Sequence, residues 1–394
     1  MLRRVLLALA FLGCEREGTP TDGGGAADTP QEVTAAGDAP ADTLVLGDVP
    51  LPREPLGWDA SRAGPFRVGY RTWRHTYTPA GTRAARTVAL HLWYPTLALD
   101  GDHPRYFGLF LDREAIVDAP AAPAVHAGER YPVHVFSHGD RGFGASSAFL
   151  MRYFASHGWV SIAPDHTGNT TGDTPMVRPA SIYHLRSGDV STALDALGMA
   201  PVTGFLASPA DATRVLLSGH SFGSHTVWAS SGARFDLARI RGRCMSDGGA
   251  GLPCTDEDLA VFARGVTDPR VVASVPMAGA LSRDWFGPEG HRGVSVPMLS
   301  LSGSEDPVGA EEQYRSTPEV DLTWVDIRGA CHQFFAIGRC EHIPDEDQPR
   351  ILGAWVLAFA RRHVLRDTSM AIVDLTEGRT VLSDRVTVQR RSLR

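Results

Sequence analysis

Residues 56–365 consist of short, continuous apolar runs that alternate with stretches of helical periodicity. "TVALHLWYP", "YPVHVFSHG", "WVSIAPDH", "TRVLLSGHS", "RVVASVPMAG", "VPMLSLSGS" and "LTWVDIRG" read as strands. "SSAFLMRYFASHG", "SIYHLRSGDVSTALDALG", "GSHTVWASSGA" and "QPRILGAWVLAFARRHVL" read as helices between or after them, the second amphipathic. Strands without polar alternation must be covered on both faces, which favours a mostly parallel sheet. Right-handed crossovers then predict an α/β class, doubly wound, with helices on both faces. The stretch "FRVGYRTWRHTYTPAGTRAARTVALHLWYP" predicts an antiparallel pair at the front of the domain. Residues 366–394, with "SMAIVDLTEGRTVLSDRVTVQRRSLR", predict a small C-terminal β-hairpin extension.

The segments before this domain have a different composition. "MLRRVLLALAFLGC" holds two arginines, a short apolar run and a Gly13–Cys14 pair. That is the layout of an export signal over residues 1–14, too short in its apolar part to span a bilayer. The Gly13–Cys14 pair resembles the lipobox of bacterial lipoproteins, so Cys14 is the lipidation candidate. The expected location is the bacterial cell envelope, or otherwise the periplasm or the exterior. Residues 15–55 are rich in Gly, Ala, Pro, Thr and Asp and poor in large apolar side chains. They cannot bury enough surface to offset their ordering entropy and read as a disordered tether. Membrane contact is therefore expected through the N-terminus. No basic cluster interleaves with aromatics, and the net charge is −7, which argues against a nucleic-acid partner.

Four cysteines remain: Cys244, Cys254, Cys331 and Cys340. An even number in an exported chain suggests disulfides. The short loops favour pairing 244 with 254 and 331 with 340. With no C-x-x-C spacing, no metal site is expected.

The segment "LSGHSFG", residues 217–223, sets Gly219 and Gly223 two positions either side of Ser221. It follows a strand and opens a helix, which is the context of a nucleophile elbow at the carboxyl edge of the sheet. A serine hydroxyl needs an imidazole to become a nucleophile. His332, in "LTWVDIRGACHQFF", lies on the loop after the last strand of the parallel series and is the candidate base. The imidazole needs a carboxylate to fix its tautomer. Asp306, after "VPMLSLSGS", is preferred to its neighbour Glu305 and to Asp284 in "LSRDWFG". The oxyanion donors are expected to be the backbone N–H groups of Phe222, next to the serine, and Asp140, in "HGDRGFG". His220 reads as a structural neighbour, and Asp165 and His166, in "PDHTGNTTGD", as loop-ordering residues.

At this point "FSHGDRGFG", "FASHGWVSIAPDH", "SGHSFG" and "DIRGACHQFF" together resemble the serine α/β-hydrolases. Within them they resemble the platelet-activating-factor acetylhydrolase and dienelactone-hydrolase-like group. The resemblance implies the α/β-hydrolase fold and carboxylic-ester hydrolysis with no metal or organic cofactor. Two departures stand out. Dienelactone hydrolases use a cysteine nucleophile, and position 221 is serine. The acetylhydrolases carry their acid directly after the strand that here ends "SVPMAG", where Ala278 and Gly279 stand.

The expected function is an exported serine hydrolase acting on a small-molecule or lipid ester. Acyl transfer by the same triad and a non-catalytic binding protein on a hydrolase scaffold are the alternatives. Two long connections, residues 96–130 and 234–270, are candidates to roof the site. Tyr106, Phe107, Leu109 and Phe110 could line an acyl pocket or simply pack.

Overall fold

A computed structural model describes residues 51–200, 202–244 and 252–393. Cys14, the signal segment and nearly all of the tether lie outside the described residues. The strands are β1 Arg67–Tyr77, β2 Arg86–Thr96, β3 Arg105–Tyr106, β4 Phe110–Leu111, β5 Ala115–Val117, β6 Tyr131–Ser137, β7 Val160–Pro164, β8 Ala210–His220, β9 Val271–Met277, β10 Met298–Gly303, β11 Leu322–Ile327 and β12 Val386–Arg391. The helices are α1 Ala148–Ser156, α2 Ile182–Ala196, α3 Phe222–Ser230, α4 Leu237–Cys244, α5 Asp256–Arg264, α6 Arg283–Phe286, α7 Ala310–Arg315, α8 Ala354–His363 and α9 Met370–Thr376.

Ten of the strands form one sheet in the order β12-β11-β10-β9-β8-β6-β7-β2-β1-β5, while β3 and β4 make a separate hairpin. The run from β11 to β7 is parallel throughout. The pair β1–β2 is antiparallel, as expected for the front of the domain, and β2 also pairs antiparallel with β7. Successive side chains of a strand point to opposite faces, and both faces here are dry. In β8, Leu216 packs with α1 and α8 on one side, whereas Val215 and Leu217 pack with α2 and α3 on the other. That two-sided burial explains the unbroken apolar runs, and the α/β doubly wound architecture is as the sequence implies.

The chain reverses direction across the sheet between β6 and β8, because β7 lies on one side of β6 and β8 on the other. Such a switch point opens a crevice at the carboxyl ends of the two strands. Ser137 of β6 pairs there with Gly219 of β8.

Two expectations need correction. Residues 366–394 are not a β-hairpin appendage. "MAIVDLT" forms α9, because Ile372, Leu375 and Thr376 recur at helical spacing and are buried against α8 and its neighbours. The strand β12 then pairs antiparallel with β11 and becomes the edge of the main sheet. The described residues thus cluster as one compact unit, with no separate C-terminal module among them. The second correction concerns α2. Its polar residues His184, Arg186, Ser187 and Asp189 face inward and are buried. Both disulfides form as expected, Cys244 with Cys254 and Cys331 with Cys340, each with Cα atoms 5.6 Å apart.

Candidate active site

Ser221 stands between β8 and α3 with φ 56° and ψ −117°. A non-glycine residue at positive φ is held there only by its surroundings. Those surroundings are visible. A Cβ on Gly219 would sit 2.5 Å from the Gly223 carbonyl oxygen, and a Cβ on Gly223 would sit 2.0 Å from the Ser137 oxygen. Both positions therefore admit only hydrogen. The Ser221 N–H donates to the Met277 carbonyl at 2.9 Å, which ties the elbow to the end of β9. Gly279 closes from the same side: a Cβ there would sit 2.5 Å from the Ser221 carbonyl oxygen. Before it, Ala278 has φ 50° and donates its N–H to Leu301.

His332 opens a short 3₁₀ turn after β11, and its Nδ1 lies 2.9 Å from Asp306 Oδ2. Asp306 is nearly buried, with 6% of its side chain exposed, while His332 keeps 34%. The orienting partner is thus dry and the imidazole reachable. Asp284 is 68% exposed and pairs with Arg243 at 2.8 Å, and Glu305 pairs with His342 at 2.6 Å. Of the three carboxylates, only Asp306 is hydrogen-bonded to His332. The turn is secured by the Cys331–Cys340 bridge, by Ser147 Oγ donating to the Phe335 carbonyl at 2.7 Å and by Gln348 Nε2 donating to the Phe334 carbonyl at 2.7 Å.

His220 is buried between the serine and this turn. Its ring is centred 4.6 Å from that of His332, and its Nε2–H donates to the His332 carbonyl at 3.0 Å. Burial, reinforced by His332, pushes the His220 pKa down to about 3, so it stays neutral and serves as an anchor. Among the described residues the Ser221 hydroxyl makes no hydrogen bond. The serine–histidine contact is therefore open in this structure, and such contacts commonly tighten only around a substrate.

The N–H groups of Phe222 and Asp140 likewise have no acceptor among the described residues, and Phe222 is the first residue of α3. Gly139 allows the loop after β6 to approach, since a Cβ there would lie 3.1 Å from Ser221 Cβ. The Asp140 carboxylate accepts from Arg178 at 2.5 Å and from Asn169 Nδ2 at 2.7 Å. Asp165 accepts from the Gly144 N–H at 2.6 Å and lies 3.2 Å from His91. Burial alone would raise its pKa, but these two partners hold it down to about 2. His166 is fully buried between Asp189, at 2.9 Å, and Ser137 Oγ, at 2.9 Å. Both residues order the loop; His166 is shut off from solvent, and Asp165 is partly exposed.

Tyr106 belongs to the packing: it is buried, accepts from Trp93 and donates to Asp112. Phe107, Leu109 and Phe110 are exposed on the β3–β4 hairpin, and Phe107 and Phe110 stack on Phe143 of the loop after β6. Sequence reasoning missed Gly279 and the buried polar side chains Arg186, Asn169 and Asp189. For Arg186 and Asp189 the signal was present in the polar residues of α2, a helix read only as amphipathic. Among the described residues no cluster of three or more His, Cys, Asp or Glu side chains is arranged to hold a metal ion.

Residues 105–182 match the model of the platelet-activating factor acetylhydrolase family, isoform II. That stretch includes the loop carrying Asp140. The fold matches that of the ferulic acid esterase from Streptomyces cinnamoneus, with a TM-score of 0.58 and 19% identity, over 83% of this chain and 98% of that one. No curated protein matches the chain. The architecture is the α/β-hydrolase fold, and the resemblance to the acetylhydrolase group extends to a family model. The family model points to a serine carboxylic ester hydrolase, and the solved structure bears on the fold alone.

Proposed function

We propose that the chain is an exported serine hydrolase that cleaves carboxylic esters through an acyl-enzyme. Ser221 Oγ attacks the ester carbonyl while His332 Nε2 takes its proton. Asp306, on Nδ1, fixes the tautomer and stabilises the imidazolium. The N–H groups of Phe222 and Asp140 receive the oxyanion of the tetrahedral intermediate. His332 then returns the proton to the leaving alcohol, and water repeats the sequence to release the acid. The layout of residues 1–14 supports export, and the Gly13–Cys14 pair supports lipid attachment at Cys14.

The observation that carries this reading is the positive φ of Ser221, held between two glycines that admit no Cβ, beside a His332–Asp306 pair. Strain of this kind costs on the order of 1–3 kcal/mol and persists where the surroundings enforce it, which is typical of catalytic positions. The test is hydrolysis of p-nitrophenyl butyrate by the wild-type protein and Ser221→Ala. Turnover by the wild type that falls to background in the variant is expected. Equal turnover by both would remove Ser221 as the nucleophile, and no turnover by either folded protein would favour the binding-protein alternative.

A further inference from the structure

The two oxyanion donors sit on different elements, one at the start of α3 and one on the loop after β6. Neither element alone fixes their separation. Two arginines join them. Arg186 of α2 is fully buried, and its guanidinium donates to the His138 carbonyl, to Ser137 Oγ at 3.1 Å, to Asn169 Oδ1 at 2.6 Å and to Thr226 Oγ1 of α3 at 3.1 Å. It also lies 4.6 Å from the centre of the Phe222 ring. Asn169 passes the link on to the Asp140 carboxylate. Arg178 closes the circuit, since it pairs with that carboxylate and lies 5.1 Å from the centre of the Phe222 ring.

This circuit answers a difficulty raised by the sequence. A carboxylate on the residue whose N–H should hold an oxyanion would repel the developing charge. Arg178 and Asn169 draw it aside, and Arg178 neutralises it. We propose that Arg186, Asn169 and Arg178 are positioning residues that set the spacing of the Phe222 and Asp140 N–H donors and cancel the Asp140 charge. The proposal rests on the reading of Ser221 and these two N–H groups given above. A planar guanidinium with several donors in fixed directions suits such a brace, and a lysine ammonium does not.

The experiment is a double-mutant cycle on Arg178 and Asp140, read as kcat and KM for p-nitrophenyl butyrate. Losing an oxyanion donor typically costs ~10²–10³ in kcat, and displacing one with an unpaired carboxylate beside it is expected to cost ~10-fold or more. Arg178→Met should therefore lower kcat with KM nearly unchanged. The pair Arg178→Met/Asp140→Asn should recover most of that loss, a rescue that a merely structural role for Arg178 would not give. Arg186→Lys, which keeps the charge but loses the fork, should also lower kcat while a fluorophosphonate still labels the whole population at completion. An unchanged kcat in Arg178→Met, or no recovery in the double variant, would overturn the proposal. Failure of the underlying reading is scored separately: it appears as turnover in Ser221→Ala or none in the wild type, before any arginine variant is compared.

Discussion

Acidification is expected to unfold this protein through its buried histidines. His134, His220 and His225 are almost completely enclosed, and burial pushes the pKa of each down to about 3. In the unfolded chain each returns to about 6.5. The folded state therefore stays neutral while the unfolded state takes up protons, and stability falls as pH drops from about 6.5 toward 3. Each pH unit in that window costs about 1.4 kcal/mol per histidine, so each loses ~2 kcal/mol between pH 7 and pH 5. The three together lose ~6 kcal/mol, against a total stability of ~5–15 kcal/mol for a typical domain. His126, His157 and His363, pushed down to about 4 chiefly by burial, act in the same direction. The assay is urea unfolding at half-unit steps between pH 7 and pH 5. His225→Phe provides the internal control. The ring sits among Tyr183, Phe235, Trp285 and Phe286 and its Nδ1 has no partner among the described residues, so a phenyl ring fits the site at the cost of the hydrogen bond that Nε2–H donates to the Tyr183 carbonyl at 3.0 Å. That variant should bind about one proton fewer on unfolding and show a shallower pH slope. A stability that is flat from pH 7 to pH 5, or a slope unchanged in His225→Phe, would refute the argument.

Two further outcomes are expected. Replacing Cys331 and Cys340 by Ser should cost about 2.5 kcal/mol, the loop-closure value for a separation of 9 residues. It should also lower kcat by loosening the His332 turn, and a melting temperature and kcat both unchanged would show that the bridge is idle. Asp306→Asn should cut kcat by ~10⁴, as loss of the tautomer-fixing acid does elsewhere, while Asp284→Asn should stay within about two-fold. The reverse order in steady-state turnover would reassign the acid.

Much of this molecule is legible in its sequence because its sheet is covered on both sides. Continuous apolar runs, Gly219 and Gly223 around Ser221, and a histidine after the last parallel strand are local patterns with one structural meaning each. The C-terminus is not local in that sense. Ile372 and Val373 have high β propensity, yet α9 is helical because burying Ile372 and Leu375 on one face outweighs a propensity of under about 1 kcal/mol. The strand β12 was legible, but its partner was not, since β11 lies some sixty residues earlier. Arg186 was hidden for a related reason. A charged residue on a helix is ordinarily solvated, and only the convergence of His138, Asn169 and Thr226 makes its burial tolerable. Asp306 was preferred over Asp284 as a strand-end turn residue; what the sequence could not show is that Asp284 pairs with Arg243.

The turn after β9 retains something the side chain there does not use. Ala278 keeps φ at 50°, a conformation that alanine adopts reluctantly and that aspartate adopts readily. The resembling acetylhydrolases carry their acid at this point in the chain. The backbone is thus already shaped for a carboxylate at the end of β9, while the proposed acid, Asp306, follows the end of β10. A lineage on this scaffold could gain the second acid before losing the first. The acid could then move from one strand end to another without passing through an inactive ancestor.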